Sequence, residues 1–172
     1  MEKWKKYISE VHDFPQKGII FKDLNPIYKN PKLWKELMLP IEKIIKDSEI
    51  DFIAGIESRG FISASALAYK LEKGFLPIRK SNKLPGKILG IDYQLEYGTD
   101  RLEIQADSII ENSNIIILDD LIATGGTASA AEKLIKDSGA NLFGYYFLIE
   151  LTKLKGREKL DQSLTIESLI KY

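Results

Sequence analysis

Between residues 52 and 149, short runs rich in Ile, Leu and Phe alternate with segments of helical spacing, and few folds accept that order of elements. Strands are expected at 52–56, 75–78, 115–118 and 142–149, and helices at 61–71 and 128–138, with Gly139 closing the second helix as a C-cap. Strands that alternate with helices pair in parallel, because each helix carries the chain back across one face of the sheet. The expected fold class is therefore α/β, a parallel sheet flanked by helices. A chain of 172 residues buries roughly 70% of its unfolded surface, which serves one core and not two. One domain over residues 1–172 is the economical reading.

Ahead of the alternation, residues 1–11 read as a short helix, residues 13–18 as a turn, and Ile19, Ile20 and Phe21 as a brief strand. Asn30-Pro31 reads as an N-cap followed by proline at the first helical position. Leu33, Leu37, Ile41, Ile44 and Ile45 then recur at helical spacing as far as Asp47, with Pro40 set to kink the helix or lean on its neighbours. Residues 81–110 are rich in Gly and Lys and include the alternating Tyr93-Gln94-Leu95-Glu96-Tyr97. They look like a long hairpin flap, and flaps of this length usually serve a site.

Composition narrows the chemistry. Lys plus Arg and Asp plus Glu each number 25, so the net charge is zero and no global basic field exists to gather nucleic acid. Zero Cys removes thiol nucleophiles, disulfides and thiolate metal sites, and one His rules out a His-based metal cluster. That single His12 lacks a Ser or Cys partner in any recognisable elbow and reads as a cap or surface group. The segment MEKWKKYISE lacks the apolar core of a secretory signal, and no apolar run approaches the ~18 residues of a membrane span. The expectation is a cytoplasmic protein with no nucleic-acid or membrane partner.

The run Ile116-Ile117-Leu118-Asp119-Asp120-Leu121-Ile122-Ala123-Thr124-Gly125-Gly126-Thr127 carries the chemistry. Adjacent carboxylates repel and paired glycines sacrifice backbone entropy, so something outside the chain must compensate. Gly125 and Gly126 let the backbone approach an anion, Thr124 and Thr127 add hydroxyls, and the helix that follows adds free N–H groups and the positive end of its dipole. The spacing matches neither Walker A nor the dinucleotide fingerprint. On its own, the acid pair could merely cap the next turn. Beside Thr-Gly-Gly-Thr at a strand-to-helix corner, Asp119 and Asp120 are placed to accept from vicinal sugar hydroxyls while residues Ala123, Thr124, Gly125, Gly126 and Thr127 hold a 5-phosphate.

With those residues assembled, the chain resembles the type I phosphoribosyltransferases, and within them the adenine-specific branch. The likeness covers nearly the whole chain in order: DFPQKGIIFKDLNPI from Asp13, GIESRGF from Gly55, RKSNKLPGK from Arg79, YQLEYGTDRLEIQ from Tyr93, the loop above, and IELTKLKGREKL from Ile149. It departs at Ser81-Asn82, where family members often carry Pro-Gly or a basic residue with Gly. The resemblance implies a five-stranded parallel sheet with a small hood over the base, built from residues 1–30 and 150–172, and a flexible flap at 80–110. It also implies transfer of the phosphoribosyl group of 5-phosphoribosyl 1-diphosphate to N9 of adenine, giving AMP and pyrophosphate in purine salvage. Transfer to xanthine, hypoxanthine, guanine or orotate is the alternative within the class. A regulator that binds the diphosphate sugar without reacting is the alternative outside it.

Such a reaction needs charge stabilisation rather than a protein nucleophile, because adenine itself attacks. Ser58, Arg59 and Gly60 follow a strand and open a helix, which makes a second anion loop for pyrophosphate, with Arg59 able to fork onto two oxygens. By resemblance, Arg79, Lys80 and Lys83 contact the diphosphate, partly across a homodimer, and Glu96 assists proton movement at the purine while Tyr97 covers the reaction centre. The base would lie on backbone groups of Ile20 and Lys22, with Phe21 against the ring and Leu151 opposite. Mg2+ is expected as the cofactor, held mainly by substrate oxygens and water, with no protein metal ligand assigned. Gly156-Arg157-Glu158-Lys159 reads as a short exposed helix without a chemical role.

Overall fold

The computed structural model describes residues 2–94 and 98–172. A 3-10 turn at Glu2–Tyr7 leads into β1 (Ser9–His12), which doubles back and pairs antiparallel with β2 (Ile20–Asp23). The reversal is built on Asp13 and Gly18, both at positive φ, where the Asp13 carboxylate accepts the Gly18 N–H at 2.7 Å. The helix expected over 1–11 is thus a 3-10 turn followed by a strand. Cross-strand pairing with Ile20–Asp23, remote in sequence, outweighs local helical preference there.

α1 (Asn25–Tyr28) and α2 (Pro31–Lys46) follow. Asn30 caps α2 as its sequence promised, its side-chain oxygen accepting the N–H groups of Lys32 and Leu33, each at 3.2 Å. Leu37, Ile41 and Ile45 face the core, whereas Ile44 is exposed, and Pro40 sits inside the helix.

The central sheet is assembled from β3 (Phe52–Ile56), α3 (Gly60–Lys70), β4 (Gly74–Lys80), the hairpin β5 (Ile88–Gln94) and β6 (Thr99–Gln105), β7 (Asn114–Ile122), α4 (Gly126–Asp137), β8 (Asn141–Glu150) and β9 (Thr165–Lys171). Five strands run parallel in the order β4-β3-β7-β8-β9, and the hairpin joins the β4 edge antiparallel through β6. Alternate residues of β7 face opposite layers. Ile116 and Leu118 pack with Leu37, Ile41 and Leu67 from α2 and α3, while Ile115 and Ile117 pack with Ala131, Leu134 and Ile135 from α4.

One of the sequence expectations changes at the carboxyl end. Residues 150–172 were assigned to the hood, but only their first part, with 3-10 turns at Thr152–Leu154 and Gly156–Lys159, stands beside the sheet's carboxyl edge. Thr165–Lys171 pairs with β8 as an edge strand. Its buried cluster is the contiguous Ser168, Leu169 and Ile170, so period-two alternation is weak and the pairing is decided by β8. Among the described residues, no helix is long and apolar enough to cross a membrane.

Candidate active site

β3 and β7 are adjacent parallel strands, so both end on the same edge of the sheet, each feeding a helix. Loops at such an edge form the binding crevice of open α/β sheets. Here they enclose a cavity of about 420 Å³, lined by residues 56–59, Lys80 and residues 119–128.

Both helices that start at this cavity lack what α2 has. The N-cap of α4 is Gly125, left-handed at φ 79°, and the N-cap of α3 is Arg59; neither supplies a side-chain cap. The first N–H groups of an α-helix have no intrahelical partner, so an uncapped start facing a cavity is a ready donor set for an anion.

The acid pair lies inside β7, which runs four residues beyond the expected Leu118. Asp120 is buried and accepts from Arg59, Nε to Oδ2 at 2.8 Å. The Asp119 Oδ1 accepts the Asp120 N–H at 2.9 Å. Gly60 lies against Asp119 so closely that a Cβ there would collide with the carboxylate, which explains glycine at the start of α3. Burial, together with the charge of Asp120, holds the Asp119 carboxyl well above the usual carboxylate range, against the pull of Arg59. Burial likewise raises Asp120, opposed by Arg59.

Two more of the cations expected around the diphosphate, Arg79 and Lys80, are already engaged. Arg79 donates to Glu57, Nε to Oε2 at 2.9 Å, and Glu57 also accepts the Lys80 N–H at 2.9 Å. The hydrogen bond from Arg79 holds Glu57 below the usual carboxylate range. Lys80 pairs with Asp100 and donates to the Tyr93 hydroxyl at 2.7 Å. Burial opposes its charge, but Asp100 and Tyr93 keep the ammonium above its ordinary range. The Thr127 hydroxyl reaches Tyr93 at 3.5 Å, which ties the loop to the hairpin.

Of the expected site residues, the structure brings Ser58, Arg59, Lys80, Asp119, Asp120 and residues 123–127 together around the cavity. Gly60 backs Asp119 from behind. Arg79 stands one layer out on Glu57, and Lys83 is exposed on the turn after β4. Phe21 comes to the site through Arg59, whose guanidinium lies 4.6 Å over its ring. Ile20 is exposed. The Lys22 ammonium pairs with Glu10 over the ring of Tyr172. Leu151 is half-buried just past β8, its N–H bonded to the Ile122 carbonyl at 3.0 Å. Glu96 and Tyr97 lie outside the described residues. His12 is exposed at the end of β1.

Glu57, Tyr93 and Asp100 were not singled out from sequence. Glu57 had a usable signal, a carboxylate directly after a buried strand and two residues before Arg59. Tyr93 and Asp100 had none, since only the β5–β6 register, which pairs them directly, puts both at Lys80.

The Phosphoribosyl transferase domain family matches residues 23–169. The adenine phosphoribosyltransferase of Prochlorococcus marinus (strain NATL1A) is 64% identical over 172 residues, which is 100% of both chains. The crystal structure of adenine phosphoribosyltransferase from Thermoanaerobacter pseudethanolicus is similar at a TM-score of 0.94 and 46% identity, over 99% of each chain. That of the Saccharomyces cerevisiae adenine phosphoribosyltransferase, complexed with adenine and D-2,5-dideoxy-2,5-imino-altritol 1,6-bisphosphate, is similar at 0.90 and 43% identity. It covers 98% of this chain and 97% of the yeast chain.

Proposed function

The chain belongs to the phosphoribosyltransferase family, among the adenine phosphoribosyltransferases, and on that footing we propose how its pocket performs the transfer. The reaction moves the phosphoribosyl group of 5-phosphoribosyl 1-diphosphate to N9 of adenine and yields AMP and pyrophosphate, a purine salvage step. The bond from the anomeric carbon to the diphosphate oxygen breaks as the bond to N9 forms. Negative charge builds on the leaving group while the ribose turns oxocarbenium-like.

One observation carries the assignment of roles: an uncapped, glycine-opened helix start and an acid pair, Asp120 buried and Asp119 half-buried, meet in one cavity. Residues 123–127 hold the 5-phosphate, and Asp119 and Asp120 accept from the ribose hydroxyls. Ser58, Arg59 and Gly60, with Arg79, Lys80 and Lys83, take the diphosphate. Arg59 is the catalytic cation among them, since it sits between the acid pair and the base strand. A preorganised donor of this kind is worth ~3 kcal/mol in the transition state. Ile20, Phe21, Lys22 and Leu151 receive the base, and the contact of Arg59 with Phe21 supports putting that strand beside the leaving group. Glu96 moves the purine proton and Tyr97 covers the centre. Residues 1–30 and the turns that follow β8, up to the edge strand β9, would form the hood over this site, and 80–110 the flap.

Mg2+ follows from charge. Around the cavity the carboxylates of Glu57, Asp100, Asp119 and Asp120 face the cations Arg59, Arg79 and Lys80. The described pocket is therefore no surplus of positive charge for a diphosphate. Among the described residues no cluster of three or more His, Asp or Glu could hold a metal ion. In this reading the cation would be held mainly by the donor's own oxygens and water and, when bound, would neutralise the diphosphate. We further propose a homodimer, as the resemblance to the family implies, in which Lys83, exposed on its own subunit, would reach the diphosphate of the neighbouring pocket.

Incubating the protein with Mg2+, the phosphoribosyl donor and each of adenine, hypoxanthine, guanine, xanthine and orotate tests the reading. AMP and pyrophosphate are expected with adenine. Turnover of hypoxanthine but not adenine would overturn the base pocket.

A further inference from the structure

The stretch Lys155-Gly156-Arg157-Glu158-Lys159-Leu160 has no place in the chemistry above, yet it packs against the phosphate loop. Gly156 is buried, and a Cβ there would strike the Ala123 carbonyl oxygen and stand 2.8 Å from the Gly125 nitrogen. A Cβ on Gly125 would in turn strike the Gly156 carbonyl. The obstacles are backbone atoms on both sides, so the two glycines let the 156–159 turn and the anion loop lie main chain against main chain. No side chain can swing aside to make room.

The turn itself is anchored at two points. Arg157 forks onto Glu150, Nε to Oε1 at 3.0 Å and Nη2 to Oε2 at 2.9 Å, and the Glu150 side chain is 8% exposed. Leu160 is buried in the layer that holds α4. Glu150 is the last residue of β8 and stands opposite Ile122, the last residue of β7, from which the loop departs. The fork therefore fixes Gly156 relative to the very residue where the anion loop begins. A loop held from behind keeps its N–H groups aimed before the anion arrives, and binding then costs less ordering entropy.

We propose that Gly156 and Arg157 are positioning residues for the 5-phosphate: the Glu150–Arg157 fork presses the Gly156 main chain against residues 123–125 and sets the anion-binding shape of the loop. This rests on reading that loop as the 5-phosphate site.

The test compares AMP with adenosine, which lacks the phosphate, by titration calorimetry on wild type, Gly156→Ala, Arg157→Lys and Arg157→Met, with a thermal melt of each. In Gly156→Ala and Arg157→Met, AMP should weaken about tenfold or more while adenosine stays within about twofold. Arg157→Lys, which keeps the charge but cannot fork, should fall between. In turnover, the KM for the phosphoribosyl donor should rise by a similar factor with kcat little changed. AMP affinity equal to wild type in both Gly156→Ala and Arg157→Met overturns the proposal, and so does parallel loss of AMP and adenosine in folded variants. Should Gly156→Ala not fold, Arg157→Lys decides by the same comparison. A wild type that binds AMP no better than adenosine would instead remove the 5-phosphate reading itself.

Discussion

Asp119→Asn should make the ligand-free protein more stable while crippling its use of the diphosphate donor. Burial and the charge of Asp120 raise the Asp119 carboxyl well above its ordinary range, and Arg59 only partly offsets them. Between its unfolded and folded pKa such a group binds more protons in the folded state. Folding stability therefore falls as pH rises through that window. Each unit of the rise withholds about 1.4 kcal/mol. Asparagine keeps an oxygen for the Asp120 N–H, now at 2.9 Å, and removes the charge. A gain of ~1–2 kcal/mol, usual for relieving one unfavourable site, lifts the melting point by roughly 2–8 °C in a chain of this size. The same change removes an ionic acceptor for ribose, worth about 1.5–3 kcal/mol, so the donor KM should rise roughly 10- to 150-fold. Thermal melts of the free proteins across pH 5 to 8, beside steady-state kinetics, read both effects. The stability gap should widen as pH rises and narrow as it falls. A variant that melts below wild type at neutral pH, or an unchanged donor KM, refutes the reasoning.

Tyr93→Phe removes the hydroxyl that joins Lys80, Asp100 and Thr127, so it should cost about 1 kcal/mol of stability and raise the donor KM severalfold; equal kinetics would detach the hairpin from the site. Glu96→Leu should lower kcat far more than it weakens donor binding, and the reverse pattern in steady-state and binding assays would make Glu96 a strut of the flap. Lys83→Ala co-expressed with Asp119→Asn should recover about a quarter of wild-type activity, because half the dimers are mixed and each mixed dimer holds one intact site; no recovery places Lys83 on its own subunit's pocket. Chelating Mg2+ should abolish binding of the diphosphate donor but spare AMP, as titrations of the two ligands would show.

The parts of this fold legible in sequence are those whose cause is local. β3, α3, β7 and α4 announce themselves through periodicity, and Asn30-Pro31 through capping chemistry, because each signal and its effect lie within a few residues. The acid pair and the glycine-threonine loop were legible for a different reason. They are costly to keep, which singled them out, and the structure sets both on one cavity. β1 and the edge strand β9 were misjudged because their partners, not their own patterns, decide them, whereas the brief strand expected at residues 19–21 is β2.

The charged framework was hidden by register. Ile56 lies opposite Ile78 across β3 and β4, so the next residues on each strand, Glu57 and Arg79, meet although 22 positions apart. Ile122 lies opposite Glu150, which brings the Arg157 fork beneath the anion loop. Neither pairing leaves a trace in spacing along the chain. Arg59, Arg79 and Lys80 each rest on a carboxylate of their own chain. With the proposed roles, a diphosphate would compete with Asp120, Glu57 and Asp100 for those donors, so binding it would be an exchange of anionic partners and not a simple neutralisation. Exchange costs less desolvation than forming a new ion pair from two hydrated charges, and it keeps the donors aimed while the pocket is empty. A pocket built this way gains its discrimination when the leaving group's charge grows in the transition state and draws the cations away from their resting partners.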